Sequence, residues 1–195
     1  MLKLIGSPAS RTRRVIWMLE ELGLDYEHDP APPRAETVVR LNPSGKVPVL
    51  IDGDTVLTDS AAILTYLADK HGALTYPAGT IERAMQDGYT FRILDELEGP
   101  LWMAAKHSFV LPEAHRVPDI KPSLKWEFGE ALRRLSTDLG DGPFLMGDMI
   151  TVPDILLVHC LSWAEGTKFP VEDAGMQAFQ TRMRARPAAR KAYPD

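Results

Sequence analysis

The stretch that most constrains this chain runs from residue 42 to residue 63. Two β-branched runs, 47–51 and 55–57, flank Asp52-Gly53-Asp54, which predicts a hairpin. Thr58-Asp59-Ser60 supplies capping side chains directly before the helical pattern that begins at Ala61. A loop bearing a proline, a hairpin and an open helix N-terminus therefore fall within a few residues of one another. Unfilled N–H groups at such a helix start favour a carboxylate or a phosphate. On the residues alone, this is a binding arrangement.

Taken in order, residues 2–5 predict a strand, followed by a turn at Gly6-Ser7-Pro8. From Ser10 the pattern is helical: Val15, Met18, Leu19 and Leu22 recur at i, i+3, i+4 and i+7, and Gly23 suits a C-cap. Residues 24–28 predict a second strand, so the opening is a βαβ unit with a parallel pair. The segment 29–34 holds three prolines and reads as a loop, and 35–41 as a short irregular helix. After the hairpin comes a helix over 60–71, and the order β-α-β-α-β-β-α is complete by Gly72.

Residues 73–79 read as a linker, and everything from residue 80 is helical in character. A long helix over 80–107 carries Met85, Tyr89, Ile93, Leu97 and Leu101, with Gly99-Pro100 as a kink or break. Residues 122–139 predict another helix. Thr151 and Asp154 form a capping box that opens a run, 155–163, apolar nearly all round and so expected to be buried. Met176, Phe179 and Met183 mark a further helix, and the arginines from 182 to 190 read as a solvated end. The fold class is thus α/β plus all-α: an α/β domain over 1–72, a linker over 73–79 and an all-helical domain over 80–195.

Composition narrows the function by exclusion. The 195 residues carry a net charge of −5, and neither part has the basic excess of a nucleic-acid binder. No apolar run approaches the length of a membrane span. The single cysteine, Cys160, permits no internal disulfide and reads as a packing residue in a reducing, cytoplasmic compartment. The five histidines show no metal-ligand spacing, so no metal site is expected.

A β-α-β-α-β-β-α domain with a Val-Pro step at the third strand resembles the thioredoxin-like arrangement. Joined to an all-helical domain, it resembles the cytosolic glutathione transferases. The likeness is carried by Ser7-Pro8-Ala9-Ser10 leading into Leu19-Glu20-Glu21-Leu22-Gly23, by Asn42-Pro43-Ser44-Gly45-Lys46-Val47-Pro48, and by Asp59-Ser60 before Ala62-Ile63. Phe144-Leu145-Met146-Gly147-Asp148 before the Thr151/Asp154 cap, and Arg186-Pro187-Ala188, extend it over essentially the whole chain.

The resemblance implies glutathione as co-substrate and a small hydrophobic electrophile as its partner, held by a pocket that the helical domain lines. Val47, before a cis Pro48, would pair its backbone with the cysteinyl unit. Ser60 would take the γ-glutamyl α-carboxylate and Asp59 the ammonium, although both residues also suit plain helix capping. Lys46 would reach the glycyl carboxylate or be solvated. Arg13, Arg14 and Arg40 are alternatives for that carboxylate, with a surface position the better reading for the helix pair. Trp102, Met103, Lys106 and His107 are candidates for the electrophile pocket, with packing the better reading.

A free thiol has a pKa of about 8.5, so activation needs a group that favours the anion. The serine-type relatives place that serine four residues before an arginine, the spacing of Ser7 and Arg11; Ser10 is the alternative and suits an N-cap. Since neither is cysteine, strong thiol–disulfide reductase chemistry is not expected. Conjugation for detoxification is the leading reading. A glutathione-dependent isomerase or dehalogenase, or a non-catalytic interaction or ligand-binding module, stand as alternatives. The resemblance also implies a symmetric homodimer across the third and fourth helices.

Overall fold

A computed structural model describes residues 1–194; Asp195, the last residue of the expected helical domain, lies outside the described residues. The chain divides into two compact units, residues 1–80 with the chain from Met183 onward, and Ile81–Arg182. The last segment, which sequence reading placed with the helical domain, thus belongs with the first unit.

In the first unit, β1 (Leu2–Ile5), β2 (Tyr26–Asp29), β3 (Val49–Asp52) and β4 (Thr55–Thr58) form one sheet in the order β2-β1-β3-β4. β1 runs parallel to β2 and antiparallel to β3, and β3 and β4 close as a two-residue hairpin with Gly53 at φ 59°. This is the thioredoxin-like topology. Side chains alternate across the sheet. Ile5 and Val49 therefore share one face with Val47 and with Val38 of α2 (Glu36–Leu41), while the paired Leu4 and Leu50 are fully buried on the other. α1 (Thr12–Glu21) packs on β1 and on α3 (Ser60–His71). α3 ends where Gly72, at φ 61°, donates its N–H to Ala68 O.

The chain's end is not a solvated tail. Pro187 opens α9 (Pro187–Ala192), whose Ala189 and Ala192 are fully buried and which packs on α1. Tyr193 sets its ring edge-on to Trp17 at 6.0 Å, and the Arg13 guanidinium lies 4.5 Å over the Tyr193 ring. Arg186 forks onto Glu21 at 2.6 and 2.9 Å, and Trp17 Nε1 donates to the same carboxylate at 2.9 Å. Burial alone would raise the Glu21 carboxyl, but these donors and the Arg186 charge outweigh it and hold it below its ordinary value.

The second unit is helical: α4 (Ile81–Arg92), α5 (Gly99–Ala105), α6 (Lys121–Leu139), α7 (Val152–Gly166) and most of α8 (Ala174–Arg184). Gly99-Pro100 does not break the long helix. A π turn over Ile93–Glu98 precedes it, in which Gly99 N–H reaches Leu94 O, five residues back. The wider turn accommodates a proline that has no N–H to offer and whose ring crowds the carbonyl of a regular α-turn. The Thr151/Asp154 box forms as read: Asp154 Oδ2 accepts from Thr151 N at 2.8 Å and from its Oγ1 at 3.0 Å, and Oδ1 accepts from Leu145 N at 2.9 Å. α7 is buried from Val152 through Leu161, Cys160 included. Among the described residues, no helix is long and apolar enough to cross a membrane.

Candidate functional site

The turn between β1 and α1 is fixed by its glycine. Gly6 N–H donates to Asp29 O at 2.8 Å, and Gly6 O lies 2.9 Å from His28 Nε2. Gly6 stands at φ 146°, and a Cβ there would lie 2.1 Å from Thr12 Oγ1 and 2.9 Å from Val47 Cβ. Only glycine fits, and because it fits, the turn that carries Ser7 lies against the loop that carries Val47.

Within that turn the two candidate serines are bonded differently. Ser10 Oγ sits 2.6 Å from Ser7 O and 2.9 Å from Thr12 Oγ1, and accepts from Thr12 N at 3.1 Å. Its one hydrogen is therefore committed inside the turn. Ser7 Oγ accepts from Ala9 N at 3.3 Å and makes no other hydrogen bond among the described residues. Its hydrogen remains for a ligand. The helix begins two residues later than read, at Thr12, with Arg11 rather than Ser10 at the N-cap position.

The loop before β3 is held by Asn42, whose Oδ1 accepts from Ser44 N and Ser44 Oγ at 3.2 and 2.8 Å while its Nδ2 donates to Lys46 O at 2.9 Å. The Val47-Pro48 peptide bond is cis. The N–H and C=O of Val47 bond to no other described residue. Lys46 is exposed and its ammonium meets no carboxylate among the described residues. Arg34, exposed and likewise without an ion pair there, joins this loop through its N–H to Gly45 O at 2.8 Å. Sequence reading left Arg34 unassigned, because nothing in a proline-rich segment announces which residue folds back on Gly45.

At the start of α3 the two adjacent candidates separate in role. Asp59 is the N-cap: Oδ1 accepts from Ala61 N at 2.9 Å and from Ala62 N at 3.1 Å. Its backbone stands at φ 71°, ψ 123°, a conformation rare for a residue with a Cβ and concentrated at ligand sites. Oδ2 is bonded to no described residue. Ser60 does not cap. It is 3% exposed, and its Oγ accepts from Arg14 Nη1 at 3.2 Å. Arg14, on α1, is 1% exposed, so the surface position expected for the arginine pair is overturned. Arg13 turns instead to Tyr193, and Arg40 is exposed and pairs with Glu36 at 3.0 Å.

Asp52 braces the hairpin to α3: Tyr66 donates to its Oδ2 at 2.7 Å and Lys70 pairs with the same oxygen. The hydrogen bonds from Lys70 and Tyr66 hold its carboxyl below the ordinary value. In the second unit, Trp102, Met103, Lys106 and His107 are half-buried rather than core. The first unit thus brings together the Ser7 hydroxyl, the Val47 backbone and the Asp59-Ser60 helix start. Such a set suits an extended peptide with a carboxylate and an ammonium at one end.

Residues 4–75 match the family described as Glutathione S-transferase, N-terminal domain. Glutathione S-transferase GstA of Escherichia coli O157:H7 is 30% identical over 156 residues, 78% of this chain and 74% of that protein. Glutathione S-transferase theta-2B of Homo sapiens is 32% identical over 134 residues, 65% of this chain and 54% of that protein, so the chain spans about half the length of this relative. The crystal structure of the theta class glutathione S-transferase from Xanthomonas axonopodis pv. citri with glutathione bound superposes with a TM-score of 0.80 at 28% identity. That match covers 100% of this chain and 97% of the other.

Proposed function

The chain belongs to the glutathione S-transferase family, and from that premise we propose that it binds glutathione and directs the thiolate at a small hydrophobic electrophile. One observation carries this reading: in the first unit, the Ser7 hydroxyl, the Val47 peptide groups, Asp59 Oδ2 and the Ser60 hydroxyl all lack a described partner for the bond each can still make. Val47 and Ser60 are buried, and buried polar groups are seldom left without a partner.

Val47 N–H and C=O pair with the cysteinyl unit as a short antiparallel strand, Asp59 Oδ2 receives the γ-glutamyl ammonium, and the Ser60 hydroxyl donates to its α-carboxylate. Lys46 and Arg34 take the glycyl carboxylate. Ser7 then donates to the sulfur. Such a hydrogen bond favours the thiolate over the thiol, whose free pKa of about 8.5 leaves little anion at neutral pH. The thiolate attacks the electrophilic carbon, the C–S bond forms, and the leaving group departs with its electron pair or the acceptor is protonated from water. The protein works as a cytoplasmic homodimer in detoxification; a single thiol, buried at Cys160, suits a reducing compartment.

Calorimetric titration with glutathione tests the reading, followed by turnover with a model aryl halide. Binding at millimolar glutathione or below, with conjugate formed, is expected. No binding in that range overturns the proposal.

A further inference from the structure

We propose that His28 is a positioning residue that aims the Ser7 N–H at the sulfur of bound glutathione, as a second donor beside the Ser7 hydroxyl; the inference rests on the glutathione reading above. His28 pairs with Leu4 in the β1–β2 register, and its Nε2 lies 2.9 Å from Gly6 O. A carbonyl oxygen can only accept, so Nε2 carries the hydrogen and donates, in either charge state of the ring. The bond is one of two that tie Gly6 to the end of β2, since its N–H donates to Asp29 O at 2.8 Å. Tyr26, two residues back on the same face of β2, sets its ring 6.5 Å from the His28 ring. The Tyr26 hydroxyl in turn donates to Glu20 Oε1 on α1 at 3.1 Å, so the imidazole stands beside an anchored neighbour.

The Gly6 carbonyl and the Ser7 N–H belong to one peptide group. That peptide is trans and planar, so its N–H points opposite to its C=O. With the carbonyl turned to β2, the Ser7 N–H is turned to the other side of β1, where the sheet order places β3. Continued past the Ile5–Val49 pair, the β1–β3 register brings Ser7 opposite Val47. The Ser7 N–H bonds to no described residue, and neither do the peptide groups of Val47. It therefore opens toward the loop that the glutathione reading assigns to the cysteinyl unit. A donated hydrogen bond favours the thiolate over the thiol, and an amide whose carbonyl already accepts a bond is the stronger donor. No other described residue bonds to the Gly6 carbonyl, so without His28 the peptide plane can turn.

The test titrates the thiol of glutathione bound to the full chain, by ultraviolet thiolate absorbance, alongside kcat and KM with a model aryl halide. His28→Phe keeps a ring and removes the donor. Its bound thiol should show an apparent pKa about half a unit higher, the size of one modest hydrogen bond. At a pH below that pKa, kcat should fall about threefold with KM for glutathione nearly kept. His28→Gln offers an N–H at similar reach and should restore most of both. Because the donor is a backbone group, the shift should recur when His28→Phe is added to Ser7→Ala. His28 is exposed on an edge strand, so these variants should fold, and His28→Leu repeats the test if His28→Phe does not. A structural role alone would lower Tm and leave the thiol titration in place. With the unaltered protein binding glutathione normally, an unchanged titration in the variant without the donor overturns this inference only. So does an equal shift in His28→Gln, or the absence of a shift in the Ser7→Ala background. Failure of the unaltered protein to bind glutathione overturns the reading beneath it.

Discussion

At Ser7 the hydroxyl accepts from Ala9 N–H and keeps its own hydrogen, whereas Ser10 spends its hydrogen on Ser7 O or Thr12 Oγ1. Ser7→Ala should therefore raise the apparent pKa of bound glutathione's thiol, followed by ultraviolet thiolate absorbance, and lower turnover by about 10- to 100-fold at neutral pH with affinity nearly kept. Ser10→Ala should alter stability more than the thiol titration; the opposite pattern would reassign the role. Gly6 permits a second prediction. Gly6→Ala combines a positive-φ penalty with a Cβ at 2.1 Å from Thr12 Oγ1, so it should cost about 2–4 kcal/mol and lower Tm by roughly 5–15 °C. A Tm within a degree of the parent would show that Thr12 can swing aside. The Ser7, Val47-Pro48 and Asp59-Ser60 positions were legible because each lies in a short motif with its own local chemistry. Arg14 was not, because its partner Ser60 lies 46 residues away and helix spacing alone cannot tell an inward arginine from an outward one.

At the scale of elements, the docking of α9 on α1 rests on a charge-assisted fork and an aromatic pair. Glu21 carries a carboxyl held below its ordinary 4.5, so its contribution is present above that value and is lost as pH falls through the lower, folded one. The acid limb of the stability curve below pH 4.5 should flatten in Glu21→Gln. Arg186→Ala should cost about 1–2 kcal/mol near pH 7, since the pair is only partly exposed, and lower Tm by about 2–8 °C. Equal acid limbs in the parent and Glu21→Gln would remove Glu21 from the account. This element marks where sequence reading stopped short. Arg184, Arg186, Arg190 and Lys191 give the end a solvated look, and only the spacing of Ala189, Ala192 and Tyr193 hints at a buried face. By contrast, the β-α-β-α-β-β-α order of residues 1–72, the α7 cap and its buried run were all readable. Those signals are local, strongly periodic or tied to one proline or glycine. The π turn before Pro100 shows the limit again, because sequence announces the proline but not the remedy the helix adopts.

At the scale of the whole molecule, the open question is association. α4 leaves Ile81 and Met85, one turn apart, 77% and 57% exposed, and Val56 on β4 is 39% exposed. Scattered apolar residues are ordinary on a surface; in the proposed homodimer, this i, i+4 pair is the face of α4 that a partner would cover. Removing a Met side chain of that exposure from water is worth about 1–2 kcal/mol per copy, and twofold symmetry counts it twice. In light scattering at micromolar concentration the unaltered chain should have twice the 21.7 kDa monomer mass. Met85→Glu places like charges across a twofold axis and should shift that mass toward the monomer while far-ultraviolet dichroism stays unchanged. A parent at the monomer mass would exclude the homodimer. A dimer that Met85→Glu leaves intact would move the interface off this face of α4.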